Sequence, residues 1–237
     1  MRSLRIIAAV FLKEVKDIAR NYAIIVVSLA LPVISFALFN IIPVEAAEFV
    51  RPAFISMHIV FSPIICIASI IGEEKEKHTL KDLMISNVSP IQYLLGIGLV
   101  VMLLEISSSL LFLFHFTLSP YQCFRFLLLS WFGSSCSILV GSIIGIYAKN
   151  QASASALAAV IGMVLGMSPM FSNFSESIHR ITSVLYSQRI ADSIKAIDQM
   201  IATKSLVIII LNGGIFLVLF AYIYRMRLGI RKKYTYL

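Results

Sequence analysis

The run AFISMHIVFSPIICIASII, residues 53–71, contains no Asp, Glu, Lys or Arg and passes directly into GEEKEKHTLKDLMISNVSP, residues 72–90. The first half is close to the roughly 20 apolar residues that a helix needs to cross a bilayer. The second half is among the most charged stretches of the chain. A greasy segment that ends in Glu73, Glu74, Lys75, Glu76 and Lys77 leaves the membrane there and meets water.

Further apolar runs lie on either side, at 22–42, 91–118, 124–147, 152–171 and 206–224. Inside lipid each is expected to be helical, because every backbone N–H and C=O must find a partner within the segment. The composition agrees. Of 237 residues, 59% are hydrophobic and 14% charged, against about 25% charged in an ordinary soluble domain. The mean hydropathy is +0.92. These values exclude a disordered chain and leave too little polar surface for a soluble one. The expected fold class is an all-α polytopic membrane protein of six transmembrane helices, in a single domain spanning 1–237.

Six crossings place both termini on one side. The leader, the 73–89 loop, the short 147–152 loop and the tail carry Arg2, Arg5, Lys13, Lys16, Arg20, Lys75, Lys77, Lys81, Lys149, Arg225, Arg227, Arg231, Lys232 and Lys233. The other side carries Arg51, Arg125, Arg180, Arg189, Lys195 and Lys204. The excess is more than two to one, so the termini are expected in the cytoplasm. The net charge of +8 sits mostly beside apolar runs, which points to lipid headgroups rather than nucleic acid as partner.

Residues 4–20 place Ile7, Val10, Phe11, Val15 and Ile18 at helical spacing, with Lys13, Lys16, Asp17 and Arg20 on other faces. This is the pattern of an elbow helix lying in the inner interface. Between the fifth and sixth spans, 175–203, Ile190, Ile194, Ile197 and Ile201 recur at steps of four, three and four. They predict an amphipathic helix near the outer surface. Small residues recur every fourth position in the fourth span (Gly133, Ser137, Gly141, Gly145) and the fifth (Ala154, Ala158, Gly162, Gly166). Such stripes let two helix backbones approach closely. Cys66, Cys123 and Cys136 form no CxxC pair and suggest neither a disulfide framework nor a zinc site.

The 73–89 loop has internal order. Glu73 and Lys77 are four apart, in the favourable order for a helical ion pair. Thr79 reads as an N-cap with Asp82 three residues on, as in a capping box. Leu80, Leu83 and Met84 then share one face of a short helix, Asn87 suits its C-cap, and Ser89-Pro90 starts the third span. An apolar face on a short helix beneath the membrane suits a groove on another protein.

The order Glu73-Glu74-x-Glu76-x-x-Thr79-Leu80-x-x-Leu83, within an elbow, six spans and an outer helical segment, resembles the permeases of type II ABC exporters, the ABC-2 class. His78 stands where that family usually has Gly, and Asp82 where it has Glu. The resemblance implies that Thr79, Leu80, Asp82, Leu83 and Met84 belong to a coupling helix that docks on an ABC ATPase. Glu73, Glu74 and Glu76 would line its hinge. It implies two ATPase copies, a second permease subunit that is identical or related, and a bacterial plasma membrane. The chain has no GxxxxGK[ST] phosphate loop. It is therefore not expected to be an enzyme, and ATP and Mg belong on the partner. The expected cargo is an amphipathic peptide such as a bacteriocin, or a lipophilic drug.

Glu105 lies near the middle of the third span, where a carboxylate costs roughly 2.5–3.5 kcal/mol and marks a functional candidate. With Met163 and Met167, whose thioethers make an adaptable apolar wall, it is a candidate for the substrate pathway. The rival reading is a secondary transporter or channel driven by an ion gradient through Glu105.

Overall fold

The computed structural model describes residues 2–86, 88–115 and 118–229. Among these the protein is helical throughout: α1 (Arg2–Ile18), α2 (Tyr22–Phe39), α3 (Val44–Glu76), α4 (Thr79–Ile85), α5 (Pro90–Ser109), α6 (Pro120–Tyr147), α7 (Gln151–Ser172), α8 (Glu176–Thr182), α9 (Tyr186–Lys195) and α10 (Thr203–Gly229). A 3₁₀ segment, Leu110–His115, extends α5. The helices α2, α3, α5 with its extension, α6, α7 and α10 are long and apolar enough to cross a membrane.

The central member is α3. Its 33 residues make a rod of about 50 Å at 1.5 Å per residue, well beyond a hydrocarbon layer of about 30 Å. The second span therefore starts nine residues before the expected position 53 and continues past 71. Arg51 and Pro52 sit inside the helix; the Arg51 guanidinium lies 5.5 Å from the Phe39 ring. The hydropathy signal saw only the lipid-matched middle of the rod. Similarly, α2 ends at Phe39, and α6 begins at Pro120 with a Ser119–Gln122 capping box.

The two small-residue stripes both face α3. A Cβ on Gly141 would stand 2.4 Å from the Ile64 carbonyl oxygen, and one on Gly145 would stand 2.7 Å from Ile71 Cβ. On the other flank Gly162 and Gly166 meet Phe61 and Met57, while Ala154 and Ala158 are fully buried. The fourth and fifth spans thus clamp the second at backbone contact, which only residues without bulk allow. The core divides along α3. One cluster, around Ile55, Ile59, Phe126, Tyr186 and Ile190, fills the half near its start. The other, around Val10, Ile67, Ile71, Leu80 and Tyr93, fills the half near its foot.

Two segments differ from expectation. The third span is α-helical only to Ser109. There Ser107 and Ser108 donate back to the carbonyls of Leu103 and Glu105 at 2.7 and 3.0 Å, and the Leu110 N–H is shared between Ile106 and Ser108 carbonyls. Hydroxyls competing for the ladder loosen it into the tighter 3₁₀ turn. Residues 116–117 of the expected span lie outside the described residues.

The segment before the last span is not one helix at the surface. It forms α8 and α9, and α9 is inserted among α3, α6, α7 and α10, with Tyr186, Ser187, Gln188 and Ile190 fully buried. Its polar groups are satisfied inside the bundle: Tyr186 and Ser137 share a hydroxyl bond of 2.9 Å, and Ser187 and Ser168 one of 3.2 Å. The helix stops at Lys195, so Ile197 and Ile201 lie beyond it, yet both still pack on the core. Arg125 donates to the carbonyls of Ile197 and Gln199, which hold this non-helical end in place.

Candidate functional site at the foot of the second span

Where α3 ends, four consecutive charged residues reach five other helices. The Glu73 carboxylate accepts from Lys77 Nζ one turn on, from Asn21 at the start of α2 (3.2 Å), and from Gln151 Nε2 on α7 (3.4 Å). Glu74 is buried. It accepts from Lys13 on α1 and from the Tyr93 hydroxyl on α5. Lys75 donates to the carbonyls of Ile146 (2.8 Å) and Ala148 at the end of α6. Glu76 accepts from the Gln151 backbone N–H at the start of α7 (3.2 Å). The signs match the helix dipoles: the ammonium meets a C-terminus and the carboxylate an N-terminus.

The corner that follows turns through His78, whose φ of 61° is the one positive value at a non-glycine residue among those described. This is the left-handed region that a glycine occupies freely. The expected cap at Thr79 is not formed. The His78 carbonyl accepts the first helical bonds, from Lys81 (3.1 Å) and Asp82 (3.3 Å). The Thr79 hydroxyl instead donates back to the Glu74 carbonyl at 3.2 Å, closing the end of α3. Thr79 is the first residue of α4, so its hydroxyl lies nearer the preceding turn than the following amides. At the far end Ser89 and Gln92 form the expected box, with Pro90 at the first position of α5.

On α4 itself Leu80 is buried in the bundle's own core, with Leu83 packed beside it. The outward surface is Lys81, Asp82, Ile85 and Ser86; Ile85 is 70% exposed. The apolar residues at 80 and 83 therefore anchor α4 to its own chain and leave Ile85 as the exposed apolar group among the described side chains of α4. Met84 is part of α4, but its side chain, like Asn87 and the tail beyond 229, lies outside the described residues.

The structure does not bring the intramembrane candidates together. Glu105 is buried between α5 and α3, accepting from the Ser62 hydroxyl at 2.6 Å and lying 3.4 Å from His58 Nε2. Ser108 reaches the same ring nitrogen at 3.1 Å, and the Phe112 ring packs on the imidazole. Met163 is half exposed on the outer face of α7, and Met167 is partly buried. Among the described residues no group of three His, Cys, Asp or Glu is gathered to hold a metal, and the three cysteines are free.

Lys13, Glu14, Asn21, Tyr93 and Gln151 were missed as members of the site. Only Glu14 left a trace in the sequence. It falls between Val10 and Ile18 at four-residue steps, a charge on the buried stripe of α1. Val15, assigned to the apolar face, is 40% exposed.

A bundle of six helices long and apolar enough to cross a membrane, with a charged, helix-bounded corner at the end of one of them, defines a polytopic membrane protein. The chain matches the family model of the ABC-2 family transporter proteins over residues 4–222 and belongs to that family. It is thus the membrane-spanning permease component of an ABC transporter, a class that works with an ATPase partner and is not itself catalytic. No curated protein matches it.

Proposed function

We propose that the protein is the permease subunit of an ATP-driven exporter in a bacterial plasma membrane, with both termini in the cytoplasm. Two such subunits form the pathway, and two ATPase copies that bind ATP and Mg drive it. The cargo class is an amphipathic peptide or a lipophilic molecule, in keeping with a bundle whose exposed faces on α2, α7 and α10 are almost wholly apolar. In this reading α4 is the coupling helix. The observation that carries it is the exposed corner of Lys81, Asp82 and Ile85, rooted by Leu80 and tied through Glu73 to Glu76 to five other helices.

A push on so short a helix would otherwise be absorbed locally. Here it is passed to α1, α2, α5, α6 and α7 at once, because each is bonded to the last turn of α3. Closure of the ATPase pair would then shift the population between inward- and outward-facing bundles.

The test is co-purification of an ATPase subunit identified by its phosphate-loop peptide. Ile85→Asp and Lys81→Glu together are expected to release it, with unchanged helix content and melting temperature. Leu80→Asp, by contrast, is expected to destabilise the corner itself. Retention of the ATPase by the Lys81/Ile85 variant would refute the docking face.

A further inference from the structure

The contact between α1 and the bundle contains a charge imbalance that the coupling scheme does not use. Two carboxylates, Glu14 and Glu74, are buried there, at 3% and 4% exposure, and they share one ammonium, Lys13. The Tyr93 hydroxyl of α5 is committed to Glu74. Glu14 takes its hydrogen bond from the same Lys13 Nζ at 3.3 Å, and Asp17, half exposed, lies 3.3 Å from that nitrogen too. The other titratable groups around this contact are Glu73 and Lys77 on α3 and Tyr224 on α10. One ammonium therefore faces three carboxylates, two of them out of water.

We propose that Glu14 is a proton-dependent positioning residue, which fastens the elbow helix α1 to the foot of α3 when protonated and loosens it when ionised. Burying a carboxylate without a full counter-charge favours its neutral form. Burial accordingly raises the Glu14 carboxyl from 4.5 to about 7; Lys13 opposes this rise, and the Glu74 charge adds to it. Lys13 is not the group that gives way. Burial works to lower it, but Glu74, Glu14 and Asp17 together hold it above the usual lysine range.

The sign follows from linkage. Docked α1 binds more protons than undocked α1 between the free and the buried value, so docking is firmest in acid and weakens as pH rises through about 7. The backbone fit of α1 is close, since a Cβ on Gly96 would fall 2.6 Å from Val10 Cγ1. Loosening is therefore expected to affect the helix as a unit.

The inference is independent of α4 and of any ATPase, and it is tested on this chain alone in lipid nanodiscs. Amide hydrogen exchange of residues 2–18 is compared at about pH 6 and about pH 8 after correction for intrinsic rates. One carboxyl titrating near 7 then allows up to about a tenfold increase in opening at the higher pH. Glu14→Gln is expected to show slow exchange at both values, and Asp17→Asn to keep the wild-type change. Equal wild-type exchange at the two pH values would overturn the proposal. So would a pH change that survives Glu14→Gln or vanishes in Asp17→Asn.

Discussion

Two carboxylates face α3 or belong to it, about 12 residues apart along the rod, and they are treated in opposite ways. Glu74, at the foot, has an ammonium and a phenol hydroxyl for partners. The contact zone of Glu105, at mid-depth, is His58 Nε2 on α3 together with the Ser62 hydroxyl. Both are buried to within a few per cent. The first joins α1 and α5 to the foot of α3; the second joins only α5 to α3. What decides the role is the neighbourhood. A lysine on α1 is exposed enough to keep its charge near water, whereas among the described residues no Lys or Arg pairs with Glu105.

Removing one partner of a buried ion pair usually costs 3–5 kcal/mol. Because Lys13 is about one-third exposed, solvent recovers part of this, and Glu74→Ala is expected to lose about 2–3 kcal/mol of stability. Thermal unfolding in nanodiscs measures it. A loss no larger than that of Glu105→Gln would erase the contrast between the two sites.

A smaller effect sharpens the boundary of the foot. Ser89→Ala removes half of the capping box that starts α5, and is expected to cost about 1 kcal/mol. Its local signature is faster amide exchange in the first turn of α5, with the mid-depth region unchanged.

The smallest effect is expected at mid-depth. Glu105→Gln keeps the volume and the acceptor for Ser62, so the change in stability should stay within about 1 kcal/mol. ATP-driven transport should persist in this variant. Complete loss of transport with the fold intact would instead favour the ion-driven rival.

The spans were legible because hydropathy and length constrain them directly, and Glu73–Lys77 and Ser89-Pro90 were legible because both are local rules of helix chemistry. What failed depended on neighbours that are remote in sequence. Leu80 looks the same in the chain whether it faces a foreign groove or its own core; only the packing of Ile71 and Tyr93 nearby decides. The 190–201 isoleucines declared a helix face correctly up to Lys195. They could not reveal that this face enters the bundle, because the space is made by Gly133 on α6, where a Cβ would meet Ile59 and Ile190. Glu14 was passed over because an amphipathic reading sorts residues into two faces, and α1 has three environments.

Lys75 and Glu76 are adjacent on α3, about 100° apart around its axis, and each occupies the helix terminus of matching polarity, α6 for one and α7 for the other. Turning the rod by one residue in either direction would set like against like at both of those ends. The second span is thus keyed like a splined shaft, its rotation about its own axis opposed by two helix termini of opposite polarity.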